Sequence, residues 1–147
     1  MTALVARRGR KMAPPRLLLA EGSPEDGGAA TAAGGEPQFK ASEFESVIAG
    51  MWKSANDGGT GKGARVEGFD VCGKTGSTQT MSRESAAALK RAGREIKTHS
   101  WFSGFAPRVD PKIVVTVLVE FGGGGGATAA PVAQRIFEAF KQELQAK

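Results

Sequence analysis

Residues 68–80, GFDVCGKTGSTQT, set one cation and several hydroxyls on a glycine-rich backbone. Two chemistries fit that composition, and they need different backbones. Gly68, Gly73, Lys74 and Thr75 satisfy G-x-x-x-x-G-K-[ST], the loop whose free N–H groups cradle nucleotide phosphates before a helix opens. The same residues can instead run extended. Side chains then alternate, so Thr75 and Ser77 project to one side. Gly73 and Gly76 remove bulk and let another backbone approach. Lys74 adds a cation, and free strand N–H groups can pair with a peptide. Such a strand is a receptor for a peptide ending in a carboxylate, and it suits acyl transfer.

The neighbours favour the strand. Phe69, Asp70, Val71 and Cys72 are bulky or β-branched where a loop must coil around phosphate. Asp70 would repel the anion. The residues after Thr75, GSTQT, start helices poorly, so no helix dipole is aimed at a phosphate. IVVTVLVE, ending in Glu120, imitates the strand and acid that hold magnesium, and it is the feature that keeps a phosphate loop over Gly68–Thr75 as the alternative.

The elements that must position this stretch follow from periodicity. PPRLLLA, residues 14–20, reads as a short strand, and residues 21–38 as a mobile loop. Residues 42–55 form a helix, with Ser42 and Glu45 as its capping box. Phe44, Val47, Ile48, Met51 and Trp52 make its apolar stripe. Asn56-Asp57-Gly58-Gly59 stops it. Val66, Phe69 and Val71 suggest a strand turned at Gly68. A weak helical patch lies around ESAAALKRAG, ended by Gly93. HSWFSGFAPRV is a strand closed by Pro107. KIVVTVLVEF is the strongest strand signal, and its apolar density predicts a central strand covered on both faces. Five glycines, Gly122–Gly126, then precede a helix over 128–145 with Pro131 in its first turn. Val132, Ile136, Phe140 and Leu144, supported by Ala133 and Phe137, form its predicted packing face. We expect residues 69–78 to pair antiparallel with 100–107, which pair in turn with 112–121. The class is α+β, helices on an antiparallel sheet.

Composition bounds the rest. A chain of 147 residues holds one domain with a core. The 21 glycines, well above the usual share of about 7%, mark loops. The net charge of +5 is scattered, so it reads as a solvated surface and not as a nucleic-acid face. Cys72 stands alone, which excludes an internal disulfide and reads as a small buried residue. With one histidine, a metal site of His and Cys is not expected, and no cofactor is called for. No stretch has the apolar length of a membrane span, and the start lacks the apolar core of a secretion signal.

GKTGSTQ, NDGGTGKGARVEGFDVCGKTGSTQ, HSWFSGFAP and KIVVTVLVEFGGGGGATAAPVAQRIFEAF occur in one order and spacing that resembles the C-terminal part of the transpeptidase domain of class B penicillin-binding proteins, elongation type. KMAPPRLLL resembles the strand after that family's long helical region. The resemblance implies a penicillin-binding and serine β-lactamase-like fold, in which this segment supplies part of a five-stranded sheet with the C-terminal helix across it. It implies that Lys74, Thr75 and Gly76 are the third active-site motif. Thr75 and Ser77 would hold the carboxylate of a peptidoglycan stem peptide or a β-lactam, and the Ser77 N–H would donate to the oxyanion. Ser77 stands where the family usually has Thr. His99 and Trp101 are expected to be structural. The family's nucleophile is the Ser of S-x-x-K. None of the nine serines here has Lys three residues on. Ser54-Ala55-Asn56 matches S-x-N only by type, because it falls at a helix end. No catalytic nucleophile is therefore expected in residues 1–147; the helical half, pedestal and membrane anchor are expected elsewhere, with the whole enzyme at the inner membrane facing outward.

Overall fold

The computed structural model describes residues 1–10, 40–79, 83–93 and 98–146. The predicted strand at 14–20 and loop at 21–38 lie outside them. Described elements are α1 (Thr2–Ala6), α2 (Ala41–Asn56), a 3-10 turn (Lys62–Ala64), β1 (Cys72–Thr78), α3 (Arg83–Arg91), β2 (His99–Ala106), β3 (Ile113–Val119) and α4 (Ala129–Gln145). The strands form one antiparallel sheet in the order β1-β2-β3. Lys74 pairs with Ser103, Gly76 with Trp101, and Trp101 with Leu118 across the next ladder. Both expected strand pairings are therefore present.

Period-two alternation sorts the sheet faces. Ser100, Phe102, Gly104 and Ala106 share a face with Val115 and Val117, and all six are buried. α4 covers that face, and Phe137 meets Phe102 edge-on, ring centroids 6.5 Å apart at 79°. Val66, Phe69 and Val71 complete this core, bridged at Val66–Phe69 and turned at Gly68 as the sequence suggests. A second cluster joins Ile48, Cys72, Phe105 and Ala6, and it seats α2 beside the start of β1. Asn56 reinforces the seat by donating to the Val71 carbonyl at 2.8 Å.

Four expectations need correction. α2 is capped two residues earlier than Ser42 and Glu45 imply: Glu43 accepts the Lys40 N–H at 2.6 Å, while Glu45 pairs with Arg8. Long-range charge pairing took Glu45, so the nearer acid serves the helix end. Val47, placed on the α2 stripe, is 50% exposed, because the helix buries Phe44 and Ile48 and half-buries Met51 and Trp52. β3 is an edge strand among the described residues, with Val114 and Leu118 exposed. Finally, α4 packs through Ala129, Ala130, Ala133 and Phe137, leaving Val132, Ile136 and Leu144 over 40% exposed. Alanines let the helix approach the sheet more closely than a valine–isoleucine row would.

Candidate functional site

Cys72–Thr78 is extended throughout, and its outer edge has no strand partner among the described residues. Alternate N–H and C=O groups of an antiparallel edge face outward, free to pair with an extended peptide. Gly68–Thr75 does not coil as a phosphate loop would. The chain turns at Gly68, and Thr75–Thr78 continues the strand instead of opening a helix. The nucleotide alternative fails on that backbone.

The four predicted site residues lie side by side on this edge. Lys74 is exposed, and its Nζ donates to the Thr75 carbonyl at 2.8 Å. No carboxylate neutralises it among the described residues, so its charge is available to an anion. Thr75 Oγ1 is 2.8 Å from Thr60 Oγ1, which fixes its rotamer. Ser77 Oγ lies 3.4 Å from the Gly125 N–H and 3.5 Å from the Gly123 carbonyl. Contacts of that length are weak and easily exchanged for a ligand. Gly76, between them, has no side chain to obstruct the edge. The sheet alternation sends Lys74 to the face of Ser103, and Thr75 and Ser77 to the other.

The glycine segment works as a strap across the end of β1 and β2. Gly123 N–H bonds the Thr98 carbonyl at 2.9 Å, and Thr98 Oγ1 returns a bond to Gly123 at 2.9 Å. Ser100 is fully buried; its hydroxyl donates to the Gly124 carbonyl at 3.2 Å and accepts the Ala129 N–H at 3.2 Å. It therefore caps α4 from the sheet, satisfying a donor that the helix start leaves free. Sequence reasoning missed Ser100, Thr60 and Thr98. The signal for Ser100 was a polar residue on the inward register of Phe102 and Ala106.

His99 takes a structural position, while Trp101 stands exposed in register with Leu118. His99 Nδ1 accepts the Phe121 N–H at 3.1 Å, and the two rings lie 4.9 Å apart. Cys72 is buried, and burial pushes its thiol up to about 12, so it stays neutral and inert. Ser54, part of the rejected S-x-N match, points its hydroxyl into the glycine turn after α2, with no partner among the described residues.

The model of the penicillin-binding protein transpeptidase domain matches residues 5–138. This chain belongs to that family. Among relatives of the penicillin-binding transpeptidases, the peptidoglycan D,D-transpeptidase MrdA of Haemophilus influenzae is 36% identical over 103 residues, covering 67% of this chain and 16% of that protein. Stage V sporulation protein D of Bacillus subtilis is 37% identical over 95 residues, 60% of this chain and 13% of that protein. Among solved structures, Pseudomonas aeruginosa PBP2 in complex with WCK 5153 matches with a TM-score of 0.67 and 27% identity, covering 95% of this chain and 28% of that one. Penicillin-binding protein A of M. tuberculosis, solved as a ceftriaxone acyl-enzyme, matches at 0.54 and 29% identity, covering 69% of this chain and 21% of that one. The mixed helix and antiparallel-sheet architecture is thus that of penicillin-binding transpeptidases. Among the described residues, no helix is long and apolar enough to cross a membrane.

Proposed function

We propose that residues 1–147 are the C-terminal, substrate-binding wall of a peptidoglycan D,D-transpeptidase. The observation that carries this reading is the exposed edge strand on which Lys74, Thr75, Gly76 and Ser77 stand in line. A stem peptide would pair with the β1 edge in extended form. Its terminal carboxylate would meet the Thr75 and Ser77 hydroxyls, with the Lys74 cation reaching the strand edge from the other face. The Ser77 N–H would be one of two donors to the oxyanion that forms as the scissile carbonyl becomes tetrahedral.

The remaining chemistry needs a serine activated by a base. That serine would attack the carbonyl, expel the terminal residue and form an ester. An amine of a second stem peptide would then take the acyl group. No S-x-x-K stands in these 147 residues, so the serine and its lysine belong to the helical half of the domain. β-Lactams would enter the same wall by their carboxylate. The whole enzyme would work at the bacterial inner membrane, facing outward.

Fusing the chain to an S-x-x-K-bearing half from a related transpeptidase tests the assignment. In that protein Lys74→Ala is expected to slow penicillin acylation by about 2–4 kcal/mol of barrier, the range for loss of one charge-stabilising donor. An unchanged acylation rate would remove Lys74 from the site.

A further inference from the structure

α1 ends at Ala6, and the chain then takes two successive left-handed residues, Arg8 at φ 52 and Gly9 at φ 76. That conformation is uncommon for an arginine. The turn closes with the Gly9 N–H on the Leu4 carbonyl at 2.9 Å and the Arg10 N–H on the Arg7 carbonyl at 3.1 Å. Arg7, Arg8 and Arg10 are thereby collected on one tight bend. Across a hollow of about 460 Å³ they face Val109, Asp110 and Pro111 in the turn between β2 and β3.

The charges there do not cancel. Arg8 is held by Glu45, and Asp110 is held by Lys112 at 2.5 Å. Arg108, in the same turn, lies over the Trp52 ring at 5.8 Å, and that indole donates to Asp70 at 2.9 Å. Arg7 and Arg10 are exposed and meet no carboxylate among the described residues. Cations after a helix C-terminus gain a little from its dipole. A helix of five residues has little dipole to offer, and it does not explain three arginines around a hollow.

We propose that this hollow binds a phosphate-type anion, with Arg7 and Arg10 as its direct ligands. A planar guanidinium presents paired N–H groups that match two phosphate oxygens. Glu45 holds Arg8, and Lys112 screens the phosphate from the one acid in the lining. The same chemistry serves a free phosphate or the headgroup of an anionic phospholipid. The site is separate from the Lys74 edge and does not depend on the transpeptidase reading.

Amide NMR of the 147-residue chain, titrated with inorganic phosphate at low salt, tests the site. A parallel arm measures co-sedimentation with phosphatidylglycerol vesicles against phosphatidylcholine vesicles. The expected result is saturable binding, with shifts confined to residues 7–10 and 109–111. Arg7→Ala/Arg10→Ala should weaken it about tenfold or more, while Lys90→Ala/Arg91→Ala on α3 leaves it unchanged. Arg7→Lys/Arg10→Lys, which keeps charge and loses the fork, should bind between the two and guards against a folding defect. Binding of free phosphate assigns a soluble ligand; variant-sensitive binding in the vesicle arm alone assigns the lipid headgroup. Shifts spread over all basic residues, or wild-type affinity in the double alanine variant, would overturn the proposal.

Discussion

Gly125 lies directly against Gly76. A methyl group built on Gly125 would stand 2.5 Å from the Gly76 carbonyl oxygen and 2.4 Å from that of Trp101. These are backbone atoms, which cannot swing aside as a side chain can. The middle of the glycine strap is thus pressed onto the strand that carries Lys74 and Ser77, and glycine is needed at position 125.

Gly125→Ala is therefore expected to destabilise the fold by about 1–3 kcal/mol, the range for overpacking a tight site. Gly124→Ala, with nothing within 4 Å of the added methyl, should stay within about 0.5 kcal/mol of wild type. Urea denaturation of both variants measures the difference. Equal stability of the two would show that the strap does not bear on β1.

α4 supplies a second comparison. Phe137→Ala should cost about 3–5 kcal/mol, since it empties the space against Phe102. Ile136→Ala, on the exposed row, should cost under about 1 kcal/mol. Thermal or urea melts read both directly. A larger loss at Ile136 than at Phe137 would mean that the helix packs through the Val132–Ile136–Leu144 row instead.

The α4 outcome shows where sequence is ambiguous. Two apolar rows run along that helix, one of large residues and one of alanines around Phe137. Hydrophobic size favours the first, but the close fit of helix, sheet and glycine segment selects the second. The K-T-G strand was legible because its alternating hydroxyls and glycines make sense only when extended. The β2 and β3 pairings followed from β-branched runs and a proline stop. The capping of α2 was not legible, because Glu43 and Glu45 are equally spaced candidates and only the distant Arg8 decides between them. Nor was the cap of α4, since Ser100 comes from a strand 29 residues away in sequence.

Stability should fall in alkali through Cys72. Its thiol is pushed up from about 9 to about 12 in the folded chain, chiefly by burial. The unfolded chain releases that proton from near pH 9, while the folded chain retains it. The contribution is therefore fully present below pH 9 and is lost as pH rises from 9 towards 12. Urea midpoints measured between pH 8 and pH 11 should decline, and Cys72→Ala should flatten that decline. A midpoint of the wild-type chain independent of pH across that range would contradict the burial of the thiol.

Mass spectrometry after incubation with a labelled penicillin addresses the division of the active site between this wall and a nucleophile carried elsewhere. The 147 residues alone should gain no covalent adduct, because Lys74, Thr75 and Ser77 stabilise charge without a base placed to create a nucleophile. Fused to an S-x-x-K-bearing half, the protein should gain one adduct per molecule, on the serine of that half. A stoichiometric adduct on the isolated chain, at any of its nine serines, would contradict this division.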